Sequence, residues 1–177
     1  HTETVNDELY TAVVNGIFKS IDGGSSWYPV FGLDTTIGGR SDYADVMITP
    51  SGVMYAAISS GTPSAGIYRS LDGETWTAIS PPGWPSNARR IVMAYAPSDE
   101  DQLYFLAQTP GSGRHGHSLY KYTYLSADGS GAGGLWENRS QNLPTFPCEV
   151  FYDFEFGNYN SQSGYDMDVK VKPDDPD

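Results

Sequence analysis

The sequence contains a single cysteine, few basic residues and no long apolar run. The lone Cys148 excludes a disulfide within the chain and does not indicate a cellular compartment. Ten Lys and Arg against 22 Asp and Glu give a formal net charge of −12, with no basic stripe, which argues against a nucleic-acid partner. No stretch approaches the roughly 18 apolar residues of a membrane span. No segment keeps a 3.6-residue period, so we expect almost no helix.

The residues that are abundant favour short strands and turns. The chain has 20 Gly, 12 Pro and 13 Tyr among 177 residues, and aromatic residues make up 14%. This mixture is typical of many short strands joined by turns, with aromatic rings packed between sheets. The first residue is His1 rather than Met, so we expect a processed or trimmed chain from which any signal peptide has been removed.

An internal repeat with a period of about fifty residues predicts a repeat architecture. One copy reads GIFKSIDGGSSW from Gly16, and a second reads GIYRSLDGETW from Gly66. A looser third copy reads SLYKYTYLSAD from Ser118, with Trp136 further on. The Asp-Gly pair between two strand-like runs in each copy predicts a tight hairpin.

Each repeat unit is predicted to form four strands, of which the first is apolar and the fourth lies at the tryptophan. We predict a single domain over 1–177. Its first part, 1–30, holds the last three strands of one unit, and complete units follow over 42–80 and 89–140. An insert over 141–164 precedes the first strand of a further unit over 165–177, with that strand at Tyr165–Val171. Within the insert, aromatic and acidic residues alternate over 151–156, as in an additional half-buried strand.

The segment Ser20 to Trp27 reads Ser-x-Asp-x-Gly-x-Ser-Trp and resembles the Asp-box, also called the bacterial neuraminidase repeat. That family builds β-propellers and includes sialidases, xyloglucan-hydrolysing glucanases, sortilin-type receptors, some fungal lectins and many secreted bacterial proteins. The resemblance implies an all-β chain that forms a partial β-propeller of about three four-stranded blades. It also implies a secreted or cell-surface location, with a bacterial source expected.

The residues that form this motif have a structural rationale. Ser and Asp side chains bond to backbone groups across the turn, Gly permits a positive φ, and the Trp ring fills the space between neighbouring sheets. In this family the turn lies at the outer rim, away from the central channel. We therefore expect the following residues to be structural rather than catalytic or metal-binding: Ser20, Asp22, Gly24, Trp27, Ser70, Asp72, Gly73, Trp76, Asp128 and Trp136.

The expected partners follow from the blade number. Propellers usually have roughly 4–8 blades, so three blades would leave two exposed sheet edges. We expect the remaining blades to come from the same polypeptide or from a second chain. In one specific arrangement, two copies close a ring, and the Tyr165–Val171 strand of one completes the blade that begins at Leu9 in the other.

Candidate catalytic residues are the carboxylates near the predicted innermost strands. No sialidase set is recognisable, because Arg89-Arg90-Ile91 lacks the proline of that family's arginine signature. A glycosidase needs two carboxylates roughly 5–10 Å apart. Asp42 and Asp45 lie near one innermost strand, and Asp166 and Asp168 near another, where the resemblance implies that they face the channel. The commoner role of acidic residues at strand ends is to be solvated or to cap turns.

Other candidate residues are aromatic or histidine side chains. Trp84, in the loop Pro-Pro-Gly-Trp-Pro, is a candidate for ligand binding or for packing. Tyr120, Tyr122 and Tyr124 share one face of a strand, which inter-sheet packing explains most simply. The segment His115-Gly-His117 lies in a glycine-rich loop, so we expect a loop rather than a metal site.

We therefore predict a non-catalytic module of a secreted or cell-surface protein that binds a polysaccharide or a protein through its loops, with no cofactor and no metal. The alternative is part of a glycoside hydrolase that resembles the xyloglucan-active propellers. An enzyme should show two facing carboxylates in a groove, at least one with a raised pKa. A binding module should instead show aromatic side chains that flank a shallow channel mouth.

Overall fold

The computed structural model describes residues 7–14, 16–32, 41–145 and 161–173. These residues form an all-β structure of three antiparallel sheets, which confirms the all-β part of the predicted fold class. Sheet 1 consists of β1 (Leu9–Val13), β2 (Gly16–Ser20) and β3 (Tyr28–Phe31). Sheet 2 consists of β4 (Ala44–Ile48), β5 (Met54–Ile58), β6 (Gly66–Ser70) and β7 (Thr77–Ala78). Sheet 3 consists of β8 (Ile91–Ala96), β9 (Asp99–Gln108), β10 (His117–Tyr124) and β11 (Gly134–Asn138).

Each sheet is made from consecutive strands, and within a sheet each strand pairs with the next one along the chain. The turn between β4 and β5 shows why the chain reverses there: the Thr49 amide donates to the Val53 carbonyl at 2.8 Å, and Gly52 takes a positive φ of 88°. The helical segments of the described chain are two three-residue 3-10 turns, Gly131–Gly133 and Ser140–Asn142. No helix in that part of the chain is long and apolar enough to cross a membrane.

Strand β5 lies between the other two sheets and is buried on both faces. Ala56 and Ile58 face sheet 1, where they pack with Ile17. Tyr55 and Ala57 point the opposite way, as the period of two requires, and pack into a cluster that extends into β8, β9 and β10. All five residues of β5 are at most 3% exposed. The three sheets therefore pack in sequence order, with one apolar cluster between each neighbouring pair.

The Ser-x-Asp turns at 20–27 and 70–76 have the predicted internal bonds. In the first turn, the Ser20 hydroxyl donates to Asp22 Oδ1 at 2.8 Å, and the same carboxylate oxygen accepts the Ser26 amide at 2.8 Å. In the second, Asp72 Oδ1 accepts the Ser70 hydroxyl at 3.0 Å and two backbone amides at 2.7 and 2.8 Å. Each carboxylate therefore accepts backbone amides of its own turn, in place of the carbonyl acceptors of regular secondary structure.

The tryptophans of the three repeats differ in burial. Trp136 lies in β11 and packs against Phe105 and Tyr122, at ring centroid distances of 5.2 and 4.8 Å. Trp76 packs into the cluster between sheets 1 and 2. Trp27 remains 41% exposed, which differs from the predicted inter-sheet position, because no neighbouring sheet covers that face of sheet 1 among the described residues.

The C-terminal segment also differs from its prediction. Among the described residues 161–173 there is a turn and no strand, whereas a strand was predicted at Tyr165–Val171. Met167 and Val169 pack onto the face of sheet 3, against Val92 of β8. Apolar and polar residues alternate over 167–171, and this pattern fits the burial of one face but does not specify a partner strand. The additional strand predicted at 151–156 lies outside the described residues.

Candidate functional site

A groove of about 700 Å³ lies beside two edge strands, β4 of sheet 2 and β8 of sheet 3, and is bordered by the C-terminal segment. The groove is lined by Asp45, Val46, Met47, Arg90, Val92, Met93, Ala94, Tyr95, Pro97, Met167, Asp168, Lys170 and Val171. Four charged side chains, two acidic and two basic, therefore share one cavity with an otherwise mainly apolar lining.

Local structure explains how these charges meet. Asp45 is the second residue of β4, and Arg90 immediately precedes β8. Asp168 and Lys170 lie two residues apart on the C-terminal segment, so an extended backbone directs both to the same side. Asp45 and Asp168 are separated in sequence but lie in the same groove, as expected for two of the four candidate carboxylates. The other two, Asp42 and Asp166, are exposed and do not line the groove.

The carboxyl group of Asp45 is half-buried, and burial raises its pKa. Three groups oppose this shift: the Val46 amide, which donates to Asp45 Oδ1 at 3.0 Å, and the charges of Arg90 and Lys170. The negative charge of Asp168 adds to the rise. The charge of one candidate carboxylate, Asp168, therefore acts on the other across the groove.

Asp168 and Arg90 lie in more polar surroundings. Asp168 Oδ1 accepts the Val169 amide at 2.9 Å and forms an ion pair with Lys170 Nζ at 3.4 Å. Both side chains of this pair are mostly exposed, so the pair is easily exchanged for bonds to a ligand. The Arg90 guanidinium lies 5.9 Å from the centre of the Tyr43 ring. The groove thus presents hydrogen-bond donors and acceptors side by side.

The apolar lining is rich in methionine. Met47, Met93 and Met167 line the groove, and the whole chain has only four methionines. Unbranched, polarisable side chains adapt to ligands of different shape. The sequence analysis missed these residues and Lys170. The alternation over 167–171 was the available signal for Lys170, because it places residues 168 and 170 on one face.

No family model matches this chain, and no curated protein matches it. The chemistry of the groove is therefore inferred from its own residues. In the part of the chain that the structure describes, no group of three or more His, Cys, Asp or Glu side chains is placed to hold a metal ion.

Trp84 does not stand free in its loop. Its ring lies 5.2 Å from that of Tyr120, and it packs against the cluster between sheets 2 and 3. A small cavity of about 60 Å³ remains beside it. Tyr120 and Tyr122 are 8% and 0% exposed, in agreement with the packing role predicted for this strand face.

The two histidines of the His-Gly-His segment lie in different surroundings. His115 is exposed, whereas His117 is 4% exposed and begins β10. One ring nitrogen of His117, Nδ1, lies 2.8 Å from the His115 carbonyl, so it donates, and Nε2 therefore accepts the Ser161 hydroxyl at 2.6 Å. Ser161 Oγ in turn accepts the Gly164 amide at 3.0 Å. This buried chain of bonds ties the C-terminal segment, and hence one wall of the groove, to sheet 3.

Proposed function

We propose that this chain is part of a β-propeller, about three Asp-box blades, in a secreted or cell-surface protein. We propose further that its groove binds a polysaccharide or an extended protein segment without chemical turnover. The observation that carries this proposal is the groove itself, in which two acidic and two basic side chains stand around a methionine-rich lining. Such a surface offers apolar contact together with paired donors and acceptors along its length.

Two features favour binding over catalysis, and a third supports the propeller itself. Asp45 and Asp168 each accept the amide of the following residue, which is an ordinary local role for a carboxylate. Asp168 also forms an exposed ion pair with Lys170, which is a common contact between surface side chains. The sheets pack in sequence order, as neighbouring propeller blades do, and the groove lies beside their edge strands β4 and β8, where the channel of a propeller would be.

Isothermal titration against a panel of polysaccharides and unstructured peptides tests this function, with released reducing ends measured in the same samples. We expect binding without release. Replacement of Arg90 by Met should weaken binding by about tenfold, because a charge-assisted hydrogen bond is lost. Arg89→Met is the matched control, since Arg89 is exposed and does not line the groove. Equal effects of the two substitutions would place the ligand elsewhere.

A glycoside hydrolase is the second candidate, and the raised pKa of Asp45 beside Asp168 is the observation that favours it. A glycosidase would use Asp45 as the protonated acid and Asp168 as the base or nucleophile. Release of reducing ends that Asp45→Asn abolishes, while Arg89→Met leaves it unchanged, would establish the enzyme. Ligand binding that Asp45→Asn preserves, with no release by the unmodified chain, would exclude it.

A further inference from the structure

A second cavity, of about 230 Å³, lies on sheet 2 beside Asp128, the Asp of the third repeat. Arg69, Ser70, Leu71, Asp72, Thr75, Thr77 and Asp128 line it. None of these residues lines the groove described above. Asp128 belongs to the third repeat and the others to the second, so the cavity marks the junction of sheets 2 and 3.

The equivalent position between sheets 1 and 2 is occupied by a cluster of ion pairs. There, Lys19 Nζ lies 3.2 Å from a carboxylate oxygen of Glu8 and 3.4 Å from one of Glu74. The repeats align Lys19 with Arg69 because each immediately precedes the serine of its turn. In the same alignment, Val53 corresponds to Glu8, and Ser130 corresponds to Glu74. Neither replacement is acidic, so the second junction lacks both counter-charges of the first.

Arg69 is buried and forms no ion pair with a carboxylate, although it shares a side-chain hydrogen bond with Tyr55 and its charge acts at longer range on Asp101 and Asp128. Arg69 is only 5% exposed, and its guanidinium carbon lies 4.2 Å from the centre of the Tyr124 ring. The Nε atom has no hydrogen-bond partner, and none of the ion pairs formed by the described residues includes Arg69. A buried cation of this kind is costly unless other groups bond to it.

Two carboxylates in the lining supply acceptors. Asp72 and Asp128 bind their own turns through Oδ1, and an ionised carboxylate has acceptor capacity beyond those bonds. Hydrogen bonds from backbone amides lower the pKa of both carboxyl groups, so both are ionised at neutral pH. The side chains of Thr75 and Thr77 add hydroxyl groups to the lining.

This combination selects the class of ligand. Two carboxylates disfavour a simple anion, and the Arg69 guanidinium disfavours a simple cation. A neutral molecule with several hydroxyl groups can accept from arginine and donate to the carboxylates at the same time. The volume is below the roughly 300–1,000 Å³ of pockets for drug-sized ligands, which fits a single ring rather than a chain of sugars. We infer that the cavity between sheets 2 and 3 is a binding site for one neutral polyhydroxylated ring, such as a hexose.

Ligand-observed NMR and isothermal titration with glucose, galactose, mannose and inositol test this site, with acetate and ethanolamine as charged comparison compounds. We expect at least one neutral ring to bind and neither charged compound to compete. Arg69→Met, which removes the donor, and Ser130→Glu, which supplies the missing carboxylate, should each weaken binding by at least about tenfold. Lys19→Met, at the equivalent position in the first junction, should change the affinity by less than about twofold.

Circular dichroism identifies any variant that fails to fold, and Ser130→Glu decides the test if Arg69→Met is such a variant. Absence of binding by all four neutral rings overturns the inference. If binding survives both substitutions, the ligand binds at another site and the inference is wrong. If acetate binds as well as a hexose, the proposed class of ligand is wrong. None of these outcomes depends on whether the groove binds a polymer, because Arg90→Met can be measured in parallel.

Discussion

The packing of sheet 1 against the second turn can be tested with two alanine substitutions. Gly23 and Gly73 each follow the Asp of their turn, with φ values of 69° and 72°. An alanine in this left-handed conformation costs roughly 1–2 kcal/mol, so Gly23→Ala should destabilise by about that amount. A Cβ at Gly23 would meet nothing within 4 Å, whereas a Cβ at Gly73 would lie 2.6 Å from Tyr10 Cε1 of sheet 1. Tyr10 would have to move, which should add about 1–3 kcal/mol.

Urea unfolding followed by tryptophan fluorescence measures this difference. We expect Gly73→Ala to destabilise by about 2–4 kcal/mol, and each kcal/mol should lower the Tm of a chain of this size by about 2–4 °C. In a Tyr10→Ala background, the cost of Gly73→Ala should fall to that of Gly23→Ala, because the obstructing ring is gone. Equal costs of the two glycine substitutions in the unmodified chain would show that Tyr10 does not pack over the second turn.

Two further predictions concern pH. Burial lowers the pKa of His117 below its unfolded value of about 6.5, so stability should be full above that pH and should be lost as the pH falls below it. His117→Gln, which keeps an acceptor for Ser161, should flatten this dependence, and an unchanged slope would contradict the assignment. Hydrogen bonds from the Ser26 hydroxyl and amide lower the pKa of Asp22 to about 2, so its stabilising contribution should be lost as the pH falls from about 4 towards 2. Urea midpoints of Asp22→Asn should lack this acid-dependent loss, and a loss equal to that of the unmodified chain would refute it.

Local patterns predicted most of the fold. The aligned repeats and the Asp-Gly turns predict strands at Ala44–Ile48, Gly66–Ser70 and Arg90–Ala96. These lie within about one residue of the observed ends of β4, β6 and β8, because strand pairing here connects neighbours along the chain. The strand β9 is longer than the predicted Leu103–Gln108 because it begins at Asp99, which pairs with Ala96 through a register shift after Tyr95. A bulge of this kind leaves no clear signal in the hydrophobic alternation.

The groove was predicted only in part, because its walls come from distant segments. Asp45 and Asp168 were identified individually from their positions near apolar strands. Their meeting depends on the return of the C-terminal segment across sheet 3, and that return is fixed by the burial of Met167 and by the His117–Ser161 bond. Trp84 was ambiguous in the sequence for a related reason: a loop composition does not show whether a ring will find a partner such as Tyr120.

The sequential strand order has a consequence for the timing of assembly. Sheets built from consecutive hairpins need only short loop closures, so each can form early and locally during folding. The segment that bears Asp168 and Lys170 has no strand partner among the described residues and docks onto a sheet that must already exist. The chain should therefore acquire its native sheets first and its affinity for a groove ligand last, as a separate kinetic phase in a refolding experiment.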